Sequence, residues 1–224
     1  MAGVALACGS ITGDLNEVIA VETSIPPDNS GDVDLGDTLR PTARALDGRG
    51  DSVAAPIFWD DLDTVVQVLD STTGALVGKF PGTGLIQARV GNLRSNPLAI
   101  TVFQRADTAF ADSTNRNPDS VSIGAKTDSL SDSLIVHLQT FTDSDTVGIG
   151  GRLVRFTLLY PDSASVALVP GDSILTDPNG LAVIQVRLRQ RVLPDSAVVQ
   201  ATATRFTGPA VHGAPITFVV RFYP

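Results

Sequence analysis

The chain has 224 residues, of which 43% are hydrophobic, enough for one large domain or two modest ones with packed cores. The net charge of −8 is uneven, because residues 1–103 carry 6 basic and 13 acidic side chains and residues 104–224 carry 10 and 11. An acidic half is repelled by phosphate backbones, which argues against nucleic-acid partners, and a single cysteine excludes an intramolecular disulfide. Glu and Lys are scarce, whereas β-branched and turn-forming residues are abundant, which indicates an all-β protein.

The chain begins with a short apolar segment, MAGVALACGS, in which Cys8 is followed by Gly9 and Ser10. Small residues before such a cysteine resemble the end of a bacterial lipoprotein signal, in which the cysteine is lipidated. Two features depart from that pattern: Ala5 stands where Leu is preferred, and the segment is shorter than the roughly 15–30 residues of a complete signal peptide. Two alternatives follow. Either the true start lies upstream and residues 1–17 are a lipid anchor at Cys8 with its tether, or Cys8 is an ordinary small apolar residue.

From residue 18 onwards, short apolar runs alternate with clusters of Gly, Pro, Asp, Asn and Ser. This alternation is typical of successive strands and turns. Seven short strands within about 85 residues match the size and spacing of a β-sandwich domain. The strands predicted for the first half of the chain are 18–25, 37–46, 54–59, 64–69, 75–79, 83–90 and 96–103.

Residues 18–103 also carry an ordered series of motifs. The series consists of Gly36-Asp37-Thr38, a turn from Asp47 to Gly50, the strand Ile57-Phe58-Trp59, a turn from Asp70 to Gly74, and Gly82-Thr83. In this order the motifs resemble the bacterial Ig-like domain of group 2. The resemblance implies an immunoglobulin-like β-sandwich over these residues, with Trp59 in its core.

The first of these turns overlaps Arg49-Gly50-Asp51-Ser52, the tetrapeptide that animal integrins recognise. Gly48 and Gly50 supply the positive φ angles that a hairpin loop of this kind needs. Short motifs also arise easily by chance. We therefore interpret the tetrapeptide as a turn and not as an adhesion signal.

An acidic segment precedes the second predicted strand. Asp28, Asp32, Asp34 and Asp37 offer clustered oxygen ligands of the kind that Ca²⁺ binds. The EF-hand spacing is not met, because the twelfth position counted from Asp32 is Ala43 and not Glu. We interpret the segment as a solvated acidic turn leading into a strand, and we predict no bound metal.

The second half of the chain begins with residues 104–118, which contain few apolar residues and which we interpret as a linker or a loosely attached edge. Beyond them, Thr176-Asp177-Pro178-Asn179-Gly180 precedes an alternating strand, and Gly151 precedes the strand RLVRFTLLY. These features resemble the invasin/intimin-type bacterial Ig-like domain of group 1. The resemblance spans about residues 119–222 and implies a second sandwich domain over residues 119–224. The predicted fold class is therefore all-β, with two immunoglobulin-like β-sandwich domains in tandem.

Signals of enzymatic activity in the sequence are poor. His137 lies within the apolar run LIVHLQTF, His212 lies in the segment GPAVHGAP, and the sole thiol is Cys8. These residues form no Cys/His dyad and no metal-type spacing, and the sequence contains no Gly-x-Ser-x-Gly motif, P-loop or dinucleotide fingerprint. We therefore predict no catalytic activity and no cofactor.

The segment IQVRLRQRV places Arg187, Arg189 and Arg191 at alternating positions. A strand period of two would bring the three guanidinium groups to one face. One interpretation is a solvated outer face. The other is a partner-binding face, because arginine is enriched in protein interfaces and three like charges repel each other unless an anionic partner meets them.

Three roles are compatible with this organisation, because one sandwich fold serves many functions. We favour a non-catalytic, extracytoplasmic structural subunit that braces or links proteins of a membrane complex, whether photosynthetic, respiratory or transporting. The second role is a cell-surface adhesin or carbohydrate-binding module, the usual association of these Ig-like families. The third is an accessory domain pair of an exported enzyme.

The distance to which the protein extends from the membrane distinguishes the structural subunit from the adhesin. Adhesins of this class usually stack many domains, whereas two sandwiches on a short tether stay within several tens of ångströms of the bilayer. The expected location is therefore membrane-associated, on the periplasmic side or the cell surface. The expected partners are proteins of a membrane complex or cell surface, together with the membrane itself if Cys8 is lipidated.

Overall fold

The computed structural model describes residues 15–26, 30–115, 117–122, 130–143, 145–161, 163, 165–189 and 195–223. Within these ranges every helix or strand assigned is a β-strand, so the all-β fold class predicted from the sequence is confirmed. No helix in the described ranges is both long enough and apolar enough to cross a membrane. The chain divides into two compact units between Phe103 and Gln104, called unit 1 and unit 2 below.

The strands of unit 1 are short and are separated by tight turns. They are β1 (Ala20–Ser24), β2 (Asp32–Asp34), β3 (Thr38–Leu39), β4 (Thr42–Leu46), β5 (Ser52–Val53), β6 (Phe58–Asp61), β7 (Val66–Asp70), β8 (Ala75–Gly78), β9 (Gly82–Val90), β10 (Leu93–Arg94) and β11 (Leu98–Phe103). Strands β1, β4 and β5 pair in one sheet, and β3, β8 and β7 pair in another. Strand β9 pairs with β6, β10 and β11, and β2 joins the far side of β11.

The beginning of unit 1 contributes to two different sheets. Strand β1 pairs with β4 in antiparallel fashion, whereas β2 pairs with β11 in parallel, with Thr101 opposite Asp32. The core between the sheets is built from inward-facing apolar side chains. Trp59 is buried within it, which confirms the position predicted for this residue. The largest fully buried side chains of this core are Val33, Val66, Leu76, Ile86, Ile100 and Val102.

The strands of unit 2 are longer. They are β12 (Thr108–Ala111), β13 (Asp119–Ser122), β14 (Leu134–Phe141), β15 (Thr146–Gly148), β16 (Leu153–Tyr160), β17 (Val166–Val169), β18 (Ser173–Leu175), β19 (Leu181–Leu188), β20 (Ser196–Ala203) and β21 (Ile216–Tyr223). One sheet has the order β12-β14-β19-β17, with β15 paired to β14. The other sheet has the order β13-β21-β20-β16-β18.

Unit 2 repeats the plan of unit 1. Strand β12 pairs with β14 in antiparallel fashion, and β13 pairs in parallel with β21, so the beginning of this unit is again shared between two sheets. Buried and outward residues alternate along β14 and β20, as expected for strands with one face against a core. Phe156 and Phe218 are the largest side chains of that core and are almost completely buried. Both units are therefore immunoglobulin-like β-sandwiches.

The interpretation of residues 104–118 as a linker is corrected by the structure. Ala106 is fully buried in the core of unit 2, and β12 forms the edge of one of its sheets. The carboxylate of Asp107 accepts hydrogen bonds from the Thr140 hydroxyl and the Phe141 amide, which fixes the start of the segment to β14. The segment's buried apolar residues are the small Ala106 and Ala109, whereas its large Phe110 is 39% exposed.

Several strand predictions in unit 1 also need correction. Only Phe58 and Trp59 of the predicted strand 54–59 lie in a strand, β6, and residues 54–57, which include Pro56, do not. The predicted strand 37–46 is divided into β3 and β4 around Arg40 and Pro41, because proline has no amide hydrogen for the sheet ladder. Strand β2 was not predicted, because two aspartates flank its one inward apolar residue, Val33.

Candidate interaction surface

Two of the arginines predicted to bind a partner lie in the described residues. Arg187 is in β19, and Arg189 follows directly after its last residue, Leu188. The N–H of Arg189 donates to the Ser165 carbonyl at 2.9 Å, which extends the pairing of β17 with β19. Arg191 and the predicted lipidation site Cys8 lie outside the described residues. The binding role of these residues stays a prediction.

Arg187 lies on the outer side of its sheet. Along β19 every second residue is buried in the core, and the intervening residues are partly or fully exposed. Arg187 belongs to the second group and pairs with Ala167 of β17. The inward residues of the strand are Ala182, Ile184, Val186 and Leu188, and the outward ones are Leu181, Val183, Gln185 and Arg187.

Apolar and aromatic side chains continue this outer side across three strands. Strand register places Phe110 opposite His137, His137 opposite Leu181, and Ile135 opposite Val183. Phe110 is 39% exposed and Val183 is 37% exposed. We call the surface formed by Phe110, Ile135, His137, Leu181, Val183 and Arg187 the outer face.

The aromatic end of the outer face is held in place by a carboxylate. The rings of Phe110 and His137 stack with centroids 4.9 Å apart and an angle of 4° between their planes. His137 Nε2 lies 2.5 Å from Asp112 Oδ2, and Thr114 donates its N–H and its hydroxyl to Asp112 Oδ1. The Thr114 hydroxyl, followed by His137, lowers the pKa of Asp112 to about 2. The ionised carboxylate therefore fixes the imidazole beneath the Phe110 ring.

The integrin-type tetrapeptide begins in a turn, as predicted, and ends at Ser52, the first residue of β5. Asp47 is buried, and its Oδ1 accepts hydrogen bonds from the N–H groups of Arg49 and Asp51 at 2.8 and 2.9 Å. The amide of Arg49 is the main cause that lowers the pKa of Asp47. Gly50 has a φ of 84°, as predicted, a conformation that few other residues adopt. Gly48 does not have a positive φ, so the prediction for that residue is wrong.

The turn at Asp177 has the same hydrogen-bond pattern. Asp177 Oδ1 accepts from the N–H groups of Asn179 and Leu181, both at 2.9 Å, and Gly180 has a φ of 81°. An Asp-x-x-Gly turn thus recurs in both units. In each case the aspartate stabilises the backbone of its own turn.

The acidic segment before the second predicted strand is only partly a solvated turn. Asp34 is fully buried and lies in β2, which corrects that interpretation for this residue. The Ser30 hydroxyl donates to the Asp32 carboxylate. Asp28 lies outside the described residues. Over the residues that the structure describes, no group of three or more His, Cys, Asp or Glu side chains is arranged to hold a metal ion.

No family model matches the chain, and no curated protein matches it either. Among solved structures, the chain is similar to the adhesin InvE of Yersinia pseudotuberculosis, with 16% identity and a TM-score of 0.42 over 95% of this chain and 62% of that one. It is also similar to the D00-D0 domain of intimin, with 15% identity and a TM-score of 0.31 over 91% of this chain and 100% of that one. Fibronectin(III)-like modules of Clostridium thermocellum CbhA match at 12% identity and a TM-score of 0.38, over 90% of this chain and 93% of theirs. These likenesses concern the fold alone, and the resemblance to the two Ig-like groups stays a prediction.

Proposed function

We propose that this chain is a non-catalytic, extracytoplasmic interaction subunit that braces or links proteins of a membrane complex. The observation that carries the proposal is the outer face of unit 2. Phe110, Ile135 and Val183 form an apolar centre, and Arg187 lies on the same sheet surface, four positions beyond Val183 along β19. Aromatic residues and arginine are the types enriched in protein interfaces, and their clustering distinguishes such a surface from singly exposed apolar residues.

The positive charge of the arginines near the outer face supports a partner with an acidic surface. Arg187 lies near the end of β19, Arg189 follows two positions later, just after the strand, and Arg191 continues the sequence pattern. Opposite charges across an interface steer the encounter and disfavour wrong partners. A partner with carboxylates around an apolar centre would therefore complement the outer face.

The membrane attachment in this proposal rests on the sequence. Cys8 after a run of small apolar residues resembles a lipidation site, and a lipid there would keep both units near the bilayer. A cell-surface adhesin or carbohydrate-binding module is the second candidate. The observation that favours it is the exposed Phe110 ring on β12, with Gln139 on the neighbouring strand β14, two positions from the residue opposite Phe110. An aromatic ring and an amide together offer an apolar surface and hydrogen-bonding groups.

Charge reversal tests the proposal. The triple variant Arg187→Glu, Arg189→Glu, Arg191→Glu should lose about tenfold or more of the membrane proteins that co-purify with the wild-type chain, because an acidic partner is then repelled. The measurement is affinity purification from gently solubilised membranes with quantitative identification of the bound proteins. Arg221→Glu is the control, because Arg221 is exposed on β21 in the opposite sheet. Unchanged recovery of partners by the triple variant would contradict the proposal.

A further inference from the structure

Unit 2 contains a groove between its two sheets. The groove has a volume of about 540 Å³ and lies between β16 of one sheet and β17 of the other. Its size falls within the roughly 300–1,000 Å³ that is usual for ligand sites. The lining residues that bear on its chemistry are Arg155, Leu158, Val166, Leu168, Asp172 and Arg189.

Both walls of the groove are sheet edges. Strand β18 pairs with β16 only from Leu153 to Arg155, although β16 continues to Tyr160. One further hydrogen bond, from the Phe156 N–H to the Asp172 carbonyl at 2.6 Å, follows that pairing. On the other wall, β17 is the last strand of the order β12-β14-β19-β17 in the described part of the chain. A sheet edge offers backbone N–H and C=O groups to an added strand.

The side chains of the groove divide into apolar walls and a charged rim. Leu158, Val166 and Leu168 are buried or partly buried and form the apolar part. Arg155 and Arg189 are exposed and bring two positive charges, whereas Asp172 brings one negative charge. The charges of Arg155, Arg189 and Asp172 therefore sum to +1. A positive rim attracts an anionic group on the ligand.

We propose that this groove binds an extended acidic peptide segment by strand addition along β16, beyond the point where β18 ends. Alternate side chains of an added strand point to opposite sides, so apolar residues would enter the walls while carboxylates between them meet Arg155 and Arg189. Backbone hydrogen bonds supply affinity in this mode of recognition, and side-chain pockets supply specificity. The segment would belong to a partner protein, and in this sense the inference rests on the proposed function.

A different role for the two arginines is edge protection, since charged side chains on an edge strand prevent sheets of two molecules from pairing. The binding role and the protective role predict different results when the two arginines are replaced. A binding role predicts loss of peptide affinity without self-association. A protective role predicts self-association of the variant and no peptide binding by the wild-type chain.

The test is a titration of the purified, ¹⁵N-labelled full chain with the synthetic peptide acetyl-Thr-Val-Glu-Val-Asp-Val-Thr-amide, followed by amide chemical shifts. Shifts are expected at residues 156–158 and 166–168. The double variant Arg155→Glu, Arg189→Glu should bind the peptide about tenfold more weakly, because two rim ion pairs become repulsions. A peptide with Gln and Asn in place of Glu and Asp should show the same weakening with the wild-type chain.

One control variant tests whether the groove itself binds the peptide. Arg221→Glu reverses a charge on β21, in the same unit, at a residue that does not line the groove. This control should keep the wild-type peptide affinity. Absence of shifts at the groove, equal weakening by a control, or self-association of the double variant without peptide binding by the wild type would overturn the inference. Because the test uses no membrane partner, its failure would leave the co-purification result of the triple variant unaffected.

Discussion

Replacing Phe156 by alanine is expected to lower the free energy of unfolding of unit 2 by about 3–5 kcal/mol. Phe156 is 1% exposed and lies in the middle of β16, paired with Ala201 of β20. The ring fills space between the two sheets that its small neighbour cannot fill. Removing it loses the transfer free energy of the ring and leaves a cavity, because a close-packed core relaxes only partly.

Urea unfolding of the full chain measures this effect, with separate signals for the two units. The single tryptophan, Trp59, lies in unit 1, whereas both tyrosines, Tyr160 and Tyr223, lie in unit 2. Phe156→Ala should move the tyrosine transition to lower urea concentration. The control Phe141→Ala removes a ring that is 59% exposed and should cost less than about 1 kcal/mol. Equal losses for the two variants would show that Phe156 does not fill the core as described.

Replacing Gly180 by alanine is expected to destabilise unit 2 by about 3 kcal/mol or more. Gly180 has a φ of 81°, which costs an alanine roughly 1–2 kcal/mol by itself. An added Cβ would also lie 2.7 Å from the backbone nitrogen of Ile149 and would collide with the Leu138 carbonyl oxygen. Neither backbone group can move without disturbing β14, which carries part of the outer face.

Gly50→Ala is the matched control for this prediction. Gly50 occupies the same position of the same kind of turn, with a φ of 84°, and an added Cβ there meets nothing within 4 Å. Its cost should therefore be confined to the backbone conformation, about 1–2 kcal/mol in unit 1. The measurement is again urea unfolding with the two separate signals. If both alanine variants lost the same stability, close backbone approach at Gly180 would not contribute.

The sequence predicts the fold class because apolar and polar residues alternate along most strands. The buried and exposed residues of β14 and β20 alternate over eight positions, a pattern that depends only on the strand period. Strands β2 and β12 were not predicted, and the reason lies in their composition. Asp34 is a buried polar residue and Ala109 is a small one, so the apolar content of these edge strands is low. Their existence depends on pairing with strands distant in the sequence.

The candidate site was predictable only in part. The alternate spacing of Arg187 and Arg189 can be read directly from the sequence, because it involves one strand. The apolar part of the outer face cannot, because Phe110, His137 and Val183 come from three strands whose register is set by tertiary pairing. The sequence Asp112-Ser113-Thr114 is a local pattern that indicates a carboxylate held in a turn. In the structure Thr114 donates two hydrogen bonds to Asp112, whose carboxylate contacts the His137 ring.

The central claim is that this chain braces or links proteins of a membrane complex. Its most direct test is gentle detergent solubilisation of native membranes, followed by native separation and identification of the proteins that migrate with the chain. Our account predicts stoichiometric migration with a large membrane complex, and the identity of that complex would then define the function. Migration of the chain alone would contradict the account and would favour the adhesin or carbohydrate-binding alternative.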